Sequence, residues 1–408
     1  MKRRDFLRTG ALAASAGGLS TAADAPLTLP FKGDLFQRGD GRIILAGRGL
    51  VYAVSDDGGQ RWSQPREVLD SSLPDKGISI KSDSDVLGLR RLKSAKVGLC
   101  YGRWQQVANR RRQEIFFRTS IDDGRSWSAE VSVTPLPGDD LYALHGSLTQ
   151  LESGRLILPT YTRFSHDYAG RPQGIGHTWL PEYCATHMLY SDDEGATWDA
   201  TGALFHWKDM GYGGTAPCGE ACVAETPDGR LLMLARSTNM RALHSYSSDG
   251  GETWTMPEMS SLNNSNSPLR LARIPGTRDL LAVWNQVSAR EHRDGYGRSR
   301  LSVAVSRDSG RSWRNFKTLE LSPGMDENPE VADTEPPRFV RAGQNTQPGT
   351  VPDNPVQGYF QSSHANVHFF GNKLYIDHAH CFRASLWSSE KRDEYQKLHV
   401  VPLDWLYS

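Results

Sequence analysis

The chain has 408 residues, 38% hydrophobic and 23% charged, enough apolar material for one large domain or two ordinary ones. Lys+Arg and Asp+Glu both number 47, so no basic field points to a nucleic acid partner. No apolar run approaches the roughly 20 residues that a membrane span needs, so no membrane span is expected.

Residues 1–25 read as a targeting segment rather than as fold. "KRRDFLRTG" is followed by a mildly apolar stretch, "ALAASAGGLS", and by a small-x-small site at Ala23-Asp24-Ala25. With Arg3, Arg4, Phe6 and Leu7 in place, it resembles a twin-arginine export signal. That implies a periplasmic or extracellular protein whose folded domain runs over 26–408. The five cysteines, Cys100, Cys184, Cys218, Cys222 and Cys381, are too sparse for a disulfide scaffold. Cys218 and Cys222 stand four apart, but no second pair or nearby His completes a zinc pattern. They read as buried small residues, with one disulfide permitted outside the cytoplasm.

Beyond the signal, one motif returns along the chain. "SDDGGQRW" (Ser55–Trp62) recurs as "SIDDGRSW" ending at Trp127, "SDDEGATW" at Trp198, "SSDGGETW" at Trp254 and "SRDSGRSW" at Trp313. A repeat at this interval signals a supersecondary unit stacked in space. Each copy reads as a hairpin turn, with Gly at a positive-φ position and Ser and Asp side chains bonding the turn's amides. The Trp then packs on the neighbouring unit. A second series of polar turns enters apolar strands at "DGRIILA" (40–46), "RLKSAKVGLCY" (91–101), "ESGRLILPT" (152–160), "DGRLLMLAR" (228–236), "PGTRDLLAVW" (275–284) and "FGNKLYID" (370–377). Six such turns predict an all-β chain, a six-bladed β-propeller of four-stranded antiparallel blades. The last turn has no box, and the segment near Phe31 is expected to close the ring against "LHVVPLDWLY".

This pattern over residues ~30–408 resembles the Asp-box (BNR-repeat) sialidase superfamily. The resemblance implies that the boxes lie on the face opposite the active site, so their aspartates are structural. It also implies an exported glycoside hydrolase releasing a terminal acidic sugar, without a metal or other cofactor, acting as a monomer on a glycan or glycoconjugate.

Three places per blade reach the opposite, upper face: the start of the first strand, the end of the second and the start of the third. Glu220 precedes the fourth turn and Arg236 ends the strand after it. The pair resembles the family's Glu and second carboxylate-binding Arg. Arg298, at the start of the third strand of blade 5, resembles the third Arg. Arginine forks suit a carboxylate because they donate two parallel charged hydrogen bonds.

Elsewhere the chain departs from the family. Where the family's first Arg is expected, "LPFKGDLFQRGD" offers Lys32, a point charge, with Arg48 in "AGRGL" as the alternative. Where the family places its nucleophilic Tyr, "SSHANVHFF" offers His364, and Tyr359 lies five residues earlier. The family's acid/base Asp has no counterpart near blade 1, which leaves Asp83 and Asp85 in "KSDSDVLGL" as replacements. His145, His364, His378 and His380 are all expected on the upper face, where imidazole suits proton transfer near neutral pH. Tyr161, Arg163, Arg103 and Asn285 fall at strand ends there and suit sugar hydroxyls or a carboxylate. Trp179, in the insertion "RPQGIGHTWLPEY", is a candidate for stacking on a sugar ring. Three functions remain open: the sialidase-like hydrolase, a lyase or hydrolase of uronic-acid glycans using His, and a non-catalytic glycan-binding propeller.

Overall fold

The computed structural model describes residues 25–67, 84–107, 110–133, 141–164, 183–201, 207–208, 215–216, 218–237, 240–294, 296–331, 358–382 and 393–408. Six antiparallel sheets stand around one axis as propeller blades. Blade 1 comprises Gly33–Gln37, Ile43–Gly47, Val51–Ser55 and Arg66–Glu67. Blade 2 comprises Ser84–Arg91, Val97–Val107, Arg110–Ser120 and Val131–Ser132. In blade 3 two short segments, Leu141–Tyr142 and Thr149–Gln150, share the inner position beside Leu156–Phe164, followed by Tyr183–Ser191 and Asp199–Ala200. Blade 4 holds Gly219–Glu225, Leu231–Arg236, Arg241–Ser247 and Glu258–Asn263; blade 5 holds Arg270–Arg273, Leu280–Trp284, Arg300–Ser306 and Arg314–Leu321. Helix among the described residues is confined to Ala289–Arg293 and a 3-10 turn at Leu403–Tyr407. No helix there is long and apolar enough to cross a membrane.

Blade 6 shows why its box is missing. Its chain order is Gln361–Phe370, Lys373–Phe382 and Asp393–Pro402, and the outermost strand is Leu27–Leu29 from the other end of the chain. Leu27 pairs with Leu398 and Leu29 with Gln396, so ring closure falls a few residues before Phe31.

All five boxes build the same turn. Ser55, Ser120, Ser191, Ser247 and Ser306 each donate to the box Asp through Oγ at 2.7–2.9 Å, and each accepts the box glycine's amide at 2.7–2.8 Å. The Asp in turn accepts amides further along; Asp122 takes those of Arg125 and Ser126 and the Ser126 hydroxyl. These bonds, the Ser126 contacts foremost, hold its carboxyl below the ordinary range. Each box Trp lies on the preceding blade. Trp198 meets Phe117 edge-on at 5.4 Å, Trp313 is buried against Leu232 and Leu234, and Trp62 joins Leu398 and Tyr375 of blade 6. Gly195 shows how close the seam is: at φ +90° it has a conformation open to glycine, and a Cβ there would lie 2.1 Å from the Phe117 ring. The boxes are seams between blades.

Candidate active site

Inner strands run from the upper face toward the turns, so their first residues surround the upper mouth of the channel. Three of them carry bulges there, between Val86 and Gly88, Gly219 and Cys222, and Ser363 and Asn366. Two of the bulged residues are Glu220 and His364, at φ +51° and +54°. A bulge re-aims one side chain out of the pleat, and a positive φ on a non-glycine residue is a conformation that function tends to retain.

Glu220 and Arg236 form a buried ion pair, Oε2 to Nη1 at 2.6 Å. The pair rests on the register that sets Gly219 opposite Arg236. Arg236 Nε donates to Asn266 Oδ1 at 2.8 Å, while Arg298 Nη2 donates to the Asn266 main-chain oxygen at 3.3 Å. Asn266, at φ +54°, therefore holds both guanidinium groups, one on each of its oxygens. Arg236 Nη2 is buried and has no hydrogen-bond partner among the described residues. It is a charged donor with unused capacity, and Asn266 Nδ2 in the same cluster is likewise buried without a partner among the described residues.

His364 stands in the same group, its Nδ1 3.0 Å from Ser363 Oγ. Burial, followed by the positive charges of Lys32 and Arg298, pushes its pKa well below the ordinary value, against the opposing pull of Glu220. It is a neutral imidazole at pH 7. Across the mouth, Lys32, Asp85 and His145 act on one another. Burial lowers the Lys32 ammonium, with Asp85 opposing. His145 is lowered to about 4 by burial and then by Lys32. Asp85 Oδ2 accepts the Trp104 indole N–H at 2.7 Å. Trp104, Tyr142 and Tyr161 form an aromatic row with ring spacings of 5.6 Å at the rim.

A polar layer lies beneath this mouth. Arg270 Nε donates to Asn366 Oδ1 at 3.1 Å, Arg270 Nη2 donates to the His145 carbonyl, and Asn366 Nδ2 reaches Asp377 and the Gly33 carbonyl. Gly146 makes room for it, since a Cβ there would lie 2.6 Å from Asn366 Oδ1. Below the layer a separate cavity of about 650 Å³, lined by Gln37, Glu152, Glu225 and Arg273 among others, opens toward the turns. It lies on the far side of the layer from the upper cluster.

Of the residues read from the sequence, Glu220, Arg236, Arg298, His364, Lys32, Asp85 and His145 come together here. Others do not. His378 is fully buried between blades 5 and 6 against His399 and Glu320, and His380 lies in the same seam. The Asn285 amide is held by the Arg300 and Ser362 carbonyls. Tyr359 packs 5.8 Å from the Tyr296 ring, with its hydroxyl bonded to Gln361 and Ser299. Arg103 is tied to Glu130 and Phe116. Arg48 is exposed in the turn after Gly47, and Lys32 rather than Arg48 is the cation acting on His364. Asp83, Trp179 and the Arg163 side chain lie outside the described residues. Cys100, Cys218 and Cys222 are buried free thiols, and Cys381 is buried. Asn266 and Arg270 went unread. The turn sequence "NNSNS" allowed for the first, and an arginine inside the apolar run "LRLAR" for the second.

A six-bladed Asp-box propeller with a charged upper mouth defines a class, and comparison with known proteins agrees. Residues 49–344 match the BNR repeat-like domain, and the chain belongs to that family. It is similar to a sialidase of Bacteroides fragilis, 26% identical over 224 residues, 52% of this chain and 35% of that protein. The match thus spans about a third of that relative's length. Among solved structures, a Dyadobacter fermentans protein of unknown function superposes with a TM-score of 0.58 at 15% identity, over 93% of this chain and 99% of that one. An intramolecular trans-sialidase from Ruminococcus gnavus, solved with oseltamivir carboxylate, gives 0.56 at 14% identity, over 92% and 94%. At such identities the shared feature is the sialidase-like propeller fold.

Proposed function

We propose that the protein is an exported, sialidase-like glycoside hydrolase that releases a terminal acidic sugar from a glycan. The observation that carries this is the unpartnered, buried Arg236 Nη2 beside Arg298 and Lys32. Charged donors converging on one point suit a carboxylate, and Glu220 and Asn266 hold them in place before substrate arrives. The name of the Bacteroides relative and the oseltamivir carboxylate in the Ruminococcus structure support the same class of substrate. The twin-arginine-like segment at 1–25 supports export.

In this reading His364 takes a proton from water. The oxygen attacks the anomeric carbon, the glycosidic C–O bond breaks, and the leaving oxygen gains a proton from the protonated form of Asp85, to which the proton taken by His364 returns through solvent. A neutral imidazole is ready to accept a proton, and the cations that lower its pKa also hold the sugar's acid group. Tyr359 takes no part. The same features favour a second reading, in which His364 removes the proton next to a uronic carboxylate and a glycosidic bond is eliminated. Product analysis separates the two: hydrolysis yields a saturated acidic sugar, whereas elimination yields an unsaturated one absorbing in the near ultraviolet.

A further inference from the structure

The seam between blades 5 and 6 holds a group of side chains that the proposed reaction does not use. Glu320 comes from the outer strand of blade 5, and His378 and His399 from adjacent strands of blade 6. All three are buried. His378 Nε2 and His399 Nε2 stand 3.1 Å apart, His399 Nε2 is 3.1 Å from Glu320 Oε1, and His378 Nε2 is 3.7 Å from the same oxygen. Zinc bonds of about 2.0–2.1 Å at tetrahedral angles place their ligand atoms about 3.3–3.4 Å apart. The three edges scatter around that value, and a point about 2 Å from all three atoms lies just above the triangle they form.

Donor chemistry narrows the choice. His378 Nδ1 lies 3.1 Å from the Ala379 carbonyl, which only accepts, so the hydrogen sits on Nδ1 and Nε2 presents a lone pair. That lone pair faces a second imidazole nitrogen and a carboxylate oxygen, so at most one hydrogen, on His399 Nε2, lies among the three atoms. A ligating His holds its other ring N–H on a carbonyl in this way, and Lys397, donating to both Glu320 oxygens at 2.8 and 2.9 Å, orients the carboxylate as an outer partner does. His380 Nδ1, 3.6 Å from Glu320 Oε2, is buried and lacks a hydrogen-bond partner among the described residues.

We propose that Glu320, His378 and His399 bind one divalent transition-metal ion, zinc by geometry, with a water completing the tetrahedron. The ion ties blade 5 to the blade on which the ring closes through Leu27–Leu29, and its role is structural. Two imidazoles and a carboxylate suit zinc over calcium or magnesium, which prefer oxygen throughout.

The test uses the full chain, stripped with chelator, then incubated with zinc alone and passed through gel filtration. One zinc per chain is expected to be retained, and zinc should raise the melting temperature while chelator lowers it. His378→Gln and His399→Gln should each lose the bound zinc, and Glu320→Gln should weaken it measurably. Should a variant fail to fold, cobalt(II) added to the stripped wild-type chain decides. Intense visible absorption of a tetrahedral ion supports the site, and its absence overturns it. Failure to retain zinc, or equal retention by the folded His variants, also overturns it and leaves the three groups sharing a proton. Neither result bears on the sugar site, which shares no residue with this one.

Discussion

Replacing Arg236 by lysine keeps a positive charge and removes the fork. The guanidinium has three nitrogens in three directions: Nη1 bonds Glu220 at 2.6 Å, Nε bonds Asn266 at 2.8 Å, and Nη2 is buried without a partner among the described residues. A single ammonium, drawn to the Glu220 carboxylate, abandons the third direction. A hydrogen bond to a charged group contributes about 1.5–3 kcal/mol, so Arg236→Lys should lower kcat/KM for an acidic glycoside about 10- to 150-fold. A neutral analogue, with the carboxylate replaced by hydroxymethyl, should lose far less. Arg236→Ala goes further and strands a buried carboxylate, at a cost of about 3–5 kcal/mol in folding stability. Glu220→Ala in the same chain should recover part of that loss. The assay is kcat/KM on the two substrates, with thermal unfolding alongside. Equal weakening on acidic and neutral substrates would refute carboxylate recognition by Arg236.

Other consequences follow from the same geometry. His364→Ala should lower kcat by about 10²–10⁴ with the fold intact, if His364 transfers the proton; a larger loss in Tyr359→Phe than in His364→Ala would transfer that role to Tyr359. Trp198→Ala should cost about 3 kcal/mol, the low end for such truncations because the ring is half-buried, and Gly195→Ala more than about 1 kcal/mol through its positive φ and its contact with Phe117. Asp122→Ala should lower the melting temperature and leave turnover unchanged; the reverse outcome would put the boxes on the wrong face. His145 and His364 both have folded pKa values below 6.5, so the unfolded chain binds more protons between those values. Their contribution to stability is complete above about pH 6.5 and declines as pH falls, that of His145 toward about 4; a melting temperature that rises as pH falls over that interval would contradict the cause given.

Most of the fold was legible because its signals are local. A box needs Ser, Asp, Gly and Trp within eight residues, and five of the six strand-entry turns carry a Gly, so counting turns counts blades. Glu220, Arg236 and Arg298 were legible for a related reason: strand direction decides which end meets the upper face. The histidines of blade 6 show where this reasoning stops. Direction along a strand says how high a residue stands, but the side of the sheet decides what it meets. His378 points into the seam, where its partner Glu320 is supplied by the outer strand of another blade. Asn266 escaped notice because its backbone oxygen and its left-handed φ, rather than its residue type alone, place it between two arginines.

The central claim, an enzyme that removes a terminal acidic sugar at the upper mouth, is tested most directly by product analysis. The purified chain, its Arg236→Lys variant and its His364→Ala variant would be incubated with sialosides and with uronic-acid oligosaccharides, and the released sugars identified by mass spectrometry. The account predicts a single acidic monosaccharide from the native chain and much less from either variant. An inert native chain on both substrate classes, or equal product from all three proteins, would contradict it.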